Sequence, residues 1–437
     1  MATLHMRPLL PNLEDLSWYY GHILKEVELS MLQYIYLFFS PKLTTLSISL
    51  KKNFDSAYPP SILSGLRKSC PALKNLTFLL QSSNSNEENL RGISSIISQW
   101  NWLQSLTVED LTQEALEQLA TFPFLRTLSF KALKGATRSY DQYLPIVTRN
   151  ATSGFPALQS LSISCRTMDP AIAFVQLLSS SPLEDLKIQA VDLGHPRHWR
   201  ELFNTISRHT CHSSLKELTL RELGNGLDAT ETLYSDIGLE ALTVFTNLQV
   251  VNHQPTFGIQ MTSDTVNRLA DAWPKICHLE LGNTHPSARS PIIKTEDLIP
   301  FAQLCPKLVH LGIVFDARYT QLRSSPGLFD NSLTTLSVAD SPISDPGIVA
   351  AFLSDIFPRI RLTTCQDDWL DDDDPWDTTE TTRMWAEAGS LLETFAKVRL
   401  QERSRMETRC CYCHSQDHFE KALTRTLTTT TGLQTSQ

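Results

Sequence analysis

Apolar and polar positions along the chain follow one short motif. It consists of an apolar residue, two further residues, a second apolar residue, one residue and a third apolar residue, often after a proline. Its first position falls on residues 13, 43, 73, 103, 125, 158, 183, 215, 248, 276, 308 and 333. A mean spacing of about 29 residues predicts a repeat architecture in which each unit is a short strand followed by a helix.

The segments between motif copies carry helix signals. Thr112, Thr262 and Thr295 each precede apolar residues at helical spacing, which predicts three helices that begin at a threonine cap. Asp169 and Asp345 each stand before a proline, so we expect the carboxylate to cap a helix whose first residue is the proline.

These units predict the fold class. Because one unit can bury its apolar face only against its neighbours, the units must stack into an array. We expect an α/β leucine-rich-repeat solenoid, a curved horseshoe with parallel strands on the concave face and helices on the convex face. The expected boundaries are 1–363 for the solenoid, 364–379 for an acidic loop, 380–405 for a C-terminal helix and 406–437 for a disordered tail.

The residue between the second and third apolar positions should face away from the core, because side chains alternate along a strand. It is Ser or Thr in eight of the twelve copies. The eight are Ser17, Ser47, Thr77, Thr107, Ser129, Ser162, Thr219 and Ser337, and the other four are Lys187, Asn252, Glu280 and Gly312. Two interpretations stay open: polar residues tolerated on a solvent face, or a hydroxyl-lined recognition surface.

Composition narrows the class of protein. A hydrophobic content of 41% against 19% charged residues predicts a folded chain. The net charge of -9 argues against nucleic acid as a partner, since that binding needs clustered Lys and Arg. Nine cysteines scattered along the chain indicate reduced, mostly buried thiols rather than a disulfide framework.

The N-terminal residues show no secretion signal. The most apolar window, residues 31–39, has about half the ~20 residues that cross a bilayer and is predicted to be a buried helix. We therefore expect no membrane partner and a cytoplasmic or nuclear location.

Two groups of His and Cys are candidate zinc ligands, with ordinary polar segments as the alternative. The first is His195, His198, His209, Cys211 and His212, and the second is Cys410, Cys411, Cys413, His414 and His418. The second group lacks a further Cys-x-x-Cys pair and precedes a Thr-rich tail, so exposed thiols open to oxidation are the alternative there.

The run of six aspartates within residues 367–374 lacks the glycine-turned alternation of a calcium loop. It is interpreted as a solvated acidic loop, with a docking patch for a basic partner as the alternative. Glycine-rich phosphate loops and the Gly-x-Ser-x-Gly elbow are absent from the sequence. We expect no catalytic residues, metal or cofactor, and a protein that is not an enzyme.

The motif resembles a known family. Cys-Pro-x-Leu-x-x-Leu at Cys70 and Cys305, with variants at Phe155 and Trp273, looks like the substrate-binding half of F-box leucine-rich-repeat proteins. The chain is similar to the large fungal set of these proteins, mostly from mushroom-forming fungi, over about residues 11–405. The resemblance implies a protein target held on the concave face of the repeats of a cullin-RING ubiquitin ligase.

In that family an N-terminal F-box of about forty residues docks on the ligase adaptor. Here the first repeat already begins at Pro11, and no segment carries the usual Leu-Pro start, so adaptor binding is expected only if an F-box is present elsewhere. Two other functions stay open: a ribonuclease-inhibitor-like scaffold with no ubiquitin link, and a GTPase-activating repeat protein that stabilises the transition state of a bound partner.

Overall fold

The structure is a computed structural model. It describes residues 8–19, 33–51, 58–81, 87–132, 154–178, 181–192, 194–223, 234–235, 237–256, 258–282, 291–322, 331–363, 380–399, 401 and 405. The predicted acidic loop at 364–379 and the predicted tail at 406–437 lie outside these residues.

One open parallel sheet of 13 strands organises the described chain, and its strands follow one another in chain order. The strands are β1 (Asp15–Tyr19), β2 (Thr45–Lys51), β3 (Asn75–Gln81), β4 (Ser105–Val108), β5 (Thr127–Ala132), β6 (Ser160–Cys165), β7 (Asp185–Ala190), β8 (Glu217–Glu222), β10 (Val250–Gln254), β12 (His278–Leu281), β13 (His310–Ile313), β14 (Thr335–Ser337) and β15 (Arg361–Thr363). Two short strands, β9 (Tyr234–Ser235) and β11 (Ile259–Gln260), pair separately.

Helices connect most of these strands, and one further helix follows the last strand. They are α1 (Tyr58–Ser69), α2 (Glu87–Ile97), α3 (Gln113–Leu119), α4 (Asp169–Val175), α5 (Pro196–His209), α6 (Ser263–Ala272), α7 (Ile299–Leu304), α8 (Pro346–Ile356) and α9, which covers residues 380–399. Within the described residues, 3₁₀ helices lie at Gln33–Phe38, Leu239–Val244 and Thr295–Leu298. The α/β class expected from the repeats is thus confirmed.

Each motif copy coincides with a strand. In all twelve copies the strand begins two residues after the first apolar position, as Leu43 and β2 illustrate. That first residue is at most 2% exposed in every copy except Leu13, which is half-buried. The first position of the motif is therefore a core residue that lies just before each strand of the sheet.

The core lies on one face of the sheet. Alternate strand residues such as Leu46 and Ile48 are buried and belong to one continuous apolar cluster with helix residues such as Leu63 and Leu66. The residues between them, such as Ser47, lie on the opposite face, and most are at least partly exposed; Glu280 and Gly312 are buried. Helices therefore cover one face, and the described elements leave the other face polar.

Three of the predicted helix caps are confirmed. The Thr112 hydroxyl accepts from the backbone N–H of Ala115 at 3.4 Å, and the Thr262 hydroxyl accepts from that of Thr265 at 3.2 Å. The Asp345 carboxylate accepts from the N–H of Ile348 at 3.0 Å. Each satisfies a donor that the first helical turn leaves unpaired.

Two predicted caps are wrong. Asp169 lies inside α4, because Met168 already has helical backbone angles, and no side chain caps this helix. Thr295 is fully buried and shares a hydrogen bond of 2.7 Å with the Thr320 hydroxyl. Asp297 instead accepts from the Lys294 N–H at 2.7 Å, so the segment begins as a 3₁₀ helix.

The helix expected at residues 31–39 is a 3₁₀ helix over Gln33–Phe38, with Ile35 buried and Tyr34 51% exposed. The expectation of a buried helix is therefore only partly right. The sequence analysis also missed β15, because the segment after Ile360 lacks the spacing of the motif.

Helix α9 covers the C-terminal end of the array. The Trp385 side chain is 1% exposed, contacts the Phe315 ring at 5.8 Å and donates to the Ser341 carbonyl at 2.7 Å. The Arg399 guanidinium donates to the Asp355 carboxylate at 3.0 Å and to the Ala351 carbonyl at 2.9 Å. Helix α9 thus shields the last repeat from water, as terminal repeats require.

None of the helices in the described ranges combines the length and the hydropathy that crossing a bilayer requires.

The two Asp-Pro helix starts provide a matched test of capping. Asp345→Ala should lower the free energy of unfolding by about 1 kcal/mol, since it removes the bond to the Ile348 N–H. Asp169→Ala should cost less than half as much, because no cap bond is lost. Urea denaturation followed by circular dichroism measures both, and equal losses would contradict the assignment.

Truncation of the buried indole tests the role of α9. Trp385→Ala should lower the free energy of unfolding by about 3–5 kcal/mol, because it removes a large buried side chain. Val398→Ala, on the same helix but 45% exposed, should cost no more than about 0.5 kcal/mol. If the two variants melted alike, α9 would not stabilise the array.

Candidate functional site: the polar face of the sheet

The polar face carries an unbroken row of side chains at one register position, which we call the central row. Its members are Ser17, Ser47, Thr77, Thr107, Ser129, Ser162, Lys187, Thr219, Asn252, Glu280, Gly312, Ser337 and Thr363. The twelve positions predicted from the motif therefore lie side by side across the sheet, with Thr363 on β15 as an addition.

A second row lies two residues earlier on each strand, and we call it the first row. It contains Asp15, Thr45, Asn75, Ser105, Thr127, Ser160, Asp185, Glu217, Val250, His278, His310, Thr335 and Arg361. Hydroxyl groups dominate both rows from β1 to β6, where Asp15 is the one charged member, whereas charged and imidazole groups become frequent from β7 onward. The face thus changes chemistry along the array.

Hydrogen bonds between neighbouring strands orient these side chains. The Ser160 hydroxyl donates to the Asp185 carboxylate at 2.9 Å, and the Asn75 amide donates to the Thr45 hydroxyl at 3.1 Å. Such pairs restrict rotamers before any ligand arrives, which lowers the entropic cost of binding.

His278, Glu280 and His310 form a close polar cluster on this face. His310 Nε2 lies 2.6 Å from Glu280 Oε2, and the two imidazole rings stack at 4.2 Å with an interplanar angle of 8°. One ligand atom from each of the three residues lies within 4.8 Å of the others. Burial and the adjacent His310 lower the pKa of His278, and the Glu280 charge partly offsets this.

Gly312 makes room for the Glu280 carboxylate. The two residues are register partners on adjacent strands, and a Cβ at position 312 would overlap the carboxylate. Any other residue in the central row of β13 would push the Glu280 side chain away from His310. The glycine is therefore required by a close approach rather than by a turn.

From the sequence, Glu280 and Gly312 are predicted only as members of the central row, and the two histidines are not predicted as site residues. A signal was present, because His278 and His310 occupy the same motif position in consecutive repeats. Aligning the repeats brings those positions together, since parallel neighbours keep one register.

The first predicted group of zinc ligands does not form one site. His195 and His198 lie at the start of α5, where each ring accepts a backbone N–H at 3.2–3.3 Å. His209, Cys211 and His212 lie at the other end of this 14-residue helix, about 21 Å away. Hydrogen bonds from Ser213 and Ser214 lower the pKa of Cys211 to about 7.

The second group, at Cys410 to His418, lies outside the described residues.

Three of the other cysteines in the described ranges belong to the core, whereas Cys277 is half-buried. Cys70, Cys165 and Cys305 are buried, and burial raises the pKa of each thiol to about 12. None of the described cysteines forms a disulfide. Thiols of such high pKa are poor nucleophiles and poor ligands at neutral pH.

Two buried ionisable groups lie on the core side of the sheet. Glu222 accepts from Trp199 Nε1 and from the backbone N–H groups of Gly194 and Thr256, and burial raises its pKa. His253 occupies a position that is apolar in the other repeats, and its ring centroid lies 4.3 Å from that of Trp199. Neither group reaches the polar face, so both support the fold.

No family model matches this chain, and no curated protein matches it.

The buried imidazole predicts a specific acid sensitivity. Burial lowers the pKa of His253 from 6.5 to about 3, although the Leu220 backbone partly offsets the effect. His253 therefore stays neutral in the folded chain but is protonated in the unfolded chain below about pH 6.5. Protonation favours the unfolded state, so the free energy of unfolding falls as the pH drops below 6.5. When the pH is lowered from 6.5 to 5, the free energy of unfolding of the His253→Leu variant, measured by urea denaturation, should fall by about 1.5 kcal/mol less than that of the wild type. An unchanged acid sensitivity in the variant would contradict this reading.

Proposed function

We propose that this chain is a non-catalytic leucine-rich-repeat protein whose polar sheet face recognises another protein. One observation carries the proposal: the central row keeps one register across all 13 strands of the sheet. A repeated row of this kind offers many small contacts to an extended partner, which is how stacked repeats bind.

The leucine-rich-repeat assignment is supported by two independent features. The first is the spacing of the motif, which lies at the long end of the range for such repeats. The second is the constant offset of two residues between each motif and its strand. In repeats of this class the strands line the inner face of the array, where a partner is surrounded on several sides.

The chemistry of the polar face favours a protein over a nucleic acid. Lys187 stands in the central row between Ser162 and Thr219, while Asp185 and Glu217 flank it in the first row. Alternating signs and hydroxyl groups suit a polar protein surface, whereas a polyphosphate would meet these carboxylates unfavourably.

The resemblance to F-box proteins extends the proposal to ubiquitin transfer. On this reading the repeats hold the target of a cullin-RING ligase, and the adaptor binds only when an F-box accompanies them. A pull-down with the ligase adaptor, beside an F-box-containing control protein, tests this step. Adaptor captured by this chain alone would show that a docking element lies within it, and the assigned boundaries would be wrong.

A photo-crosslinking amino acid placed on each face tests the recognition surface. At Thr219, in the central row, it should crosslink to a protein partner in cell extract, because this position faces away from the core. At Asn267, on the exposed side of α6, it should give at most background crosslinking. Mass spectrometry of the crosslinked species identifies the partner, and the reverse pattern would contradict the proposal.

Charge reversal then measures the energetic contribution of the row. Lys187→Glu should weaken binding of the crosslinked partner at least about tenfold, since it places a third negative charge beside Asp185 and Glu217. Arg268→Glu, at an exposed cation on α6, should leave the affinity unchanged. Calorimetry with the purified partner checks both variants, and equal affinities would count against the polar face.

A further inference from the structure

His278, Glu280 and His310 form a cluster of possible metal ligands on the polar face. Two imidazoles and one carboxylate converge from two adjacent strands, with their ligand atoms within 4.8 Å of one another. We propose that these three residues form a binding site for a divalent metal ion of the zinc class. This inference does not depend on the proposed function.

The ligand types suit that metal class. Zn²⁺ takes imidazole nitrogen and carboxylate oxygen at about 2.0–2.2 Å, often from two histidines and one glutamate. Three protein ligands leave one position of a tetrahedral ion for water or for a donor from a partner. Calcium and magnesium are disfavoured, because both prefer sites built from oxygen alone.

Metal binding requires the side chains to rearrange. An imidazole binds a metal in the plane of its ring, and the two rings are now parallel, with an interplanar angle of 8°, so at least one ring must turn. Around a tetrahedral ion the ligand atoms lie about 3.3 Å apart, so His310 Nε2 and Glu280 Oε2 must separate from their present 2.6 Å. The third ligand must approach from within 4.8 Å. Side-chain rotations on two fixed strands achieve both changes, and the metal replaces the hydrogen bond between His310 and Glu280.

Burial and electrostatics favour the metal-bound form. The Glu280 side chain is 9% exposed and that of His310 is 23% exposed, so the site is shielded without being closed. On the strands to either side, the same two rows hold only uncharged residues. These are Val250, Asn252, Thr335 and Ser337.

Gly312 strengthens the inference because it serves the cluster rather than the sheet. The Glu280 carboxylate occupies the space in which any side chain at position 312 would stand. Asn252, the register partner of Glu280 on the other side, also has a buried Oδ1 with no hydrogen bond among the described residues. The strand on one side of Glu280 therefore leaves space for its carboxylate, at Gly312. The strand on the other side carries an amide oxygen, Asn252 Oδ1, that has no donor among the described residues.

Zinc titration of the full chain tests the proposal. Cys410, Cys411 and Cys413 are first changed to serine, because thiolates also bind zinc. Calorimetry in chelator-treated buffer should then show one site per chain with micromolar or tighter affinity. Zinc should also raise the melting temperature, since a ligand that binds the folded state stabilises it.

Two variants locate that site. His310→Ala removes a ligand, and Gly312→Ala retains all three ligands but displaces the Glu280 carboxylate. Each should weaken zinc binding at least about tenfold and reduce the zinc-dependent rise in melting temperature. The double variant His195→Ala/His198→Ala removes a histidine pair at the start of α5 and should bind zinc like its parent.

Circular dichroism confirms that each variant is folded before its affinity is compared. Absence of zinc binding at micromolar metal in the parent chain would overturn the proposal and leave His310 and Glu280 as a structural hydrogen-bonded pair. Equal affinities for the parent and for folded His310→Ala and Gly312→Ala would also overturn it.

Discussion

Burial of the motif leucines between neighbouring units is the interaction on which the rest of the structure depends. One unit has a strand and a short helix, which cannot enclose an apolar residue such as Leu161 alone, so each unit is completed by the next. The same contact sets the register, because a shift of one residue would turn every leucine to the polar face. The central row of the polar face is therefore a consequence of packing on the opposite side.

This coupling explains how much could be predicted from the sequence. The apolar spacing predicts the strands, their order and the row from Ser17 to Ser337, because all follow from local alternation and repeated stacking. Predictions of helix starts succeed where the cap acts locally, as at Thr112 and Asp345. They fail at Thr295, whose hydroxyl bonds to Thr320 in a distant segment that the local pattern does not reveal.

The candidate metal site shows the same limit. His278 and His310 lie 32 positions apart in the sequence, and each resembles an ordinary polar strand residue in its own repeat. They become a cluster only when parallel pairing places them side by side and Gly312 admits the Glu280 carboxylate. A regular scaffold can thus carry an irregular site wherever adjacent repeats place suitable side chains at matching positions.

The central row crosses the sheet in one register, and disulfide formation between paired cysteines tests this register directly. Thr107 and Ser129 are register partners on β4 and β5, whereas Lys131 lies two residues further along β5. Disulfide formation requires Cα atoms within about 4.4–6.8 Å. Under mild oxidation the Thr107→Cys/Ser129→Cys variant should form the bond, and Thr107→Cys/Lys131→Cys should not. Peptide mapping by mass spectrometry distinguishes the two, and the opposite preference would show that the strands pair in another register.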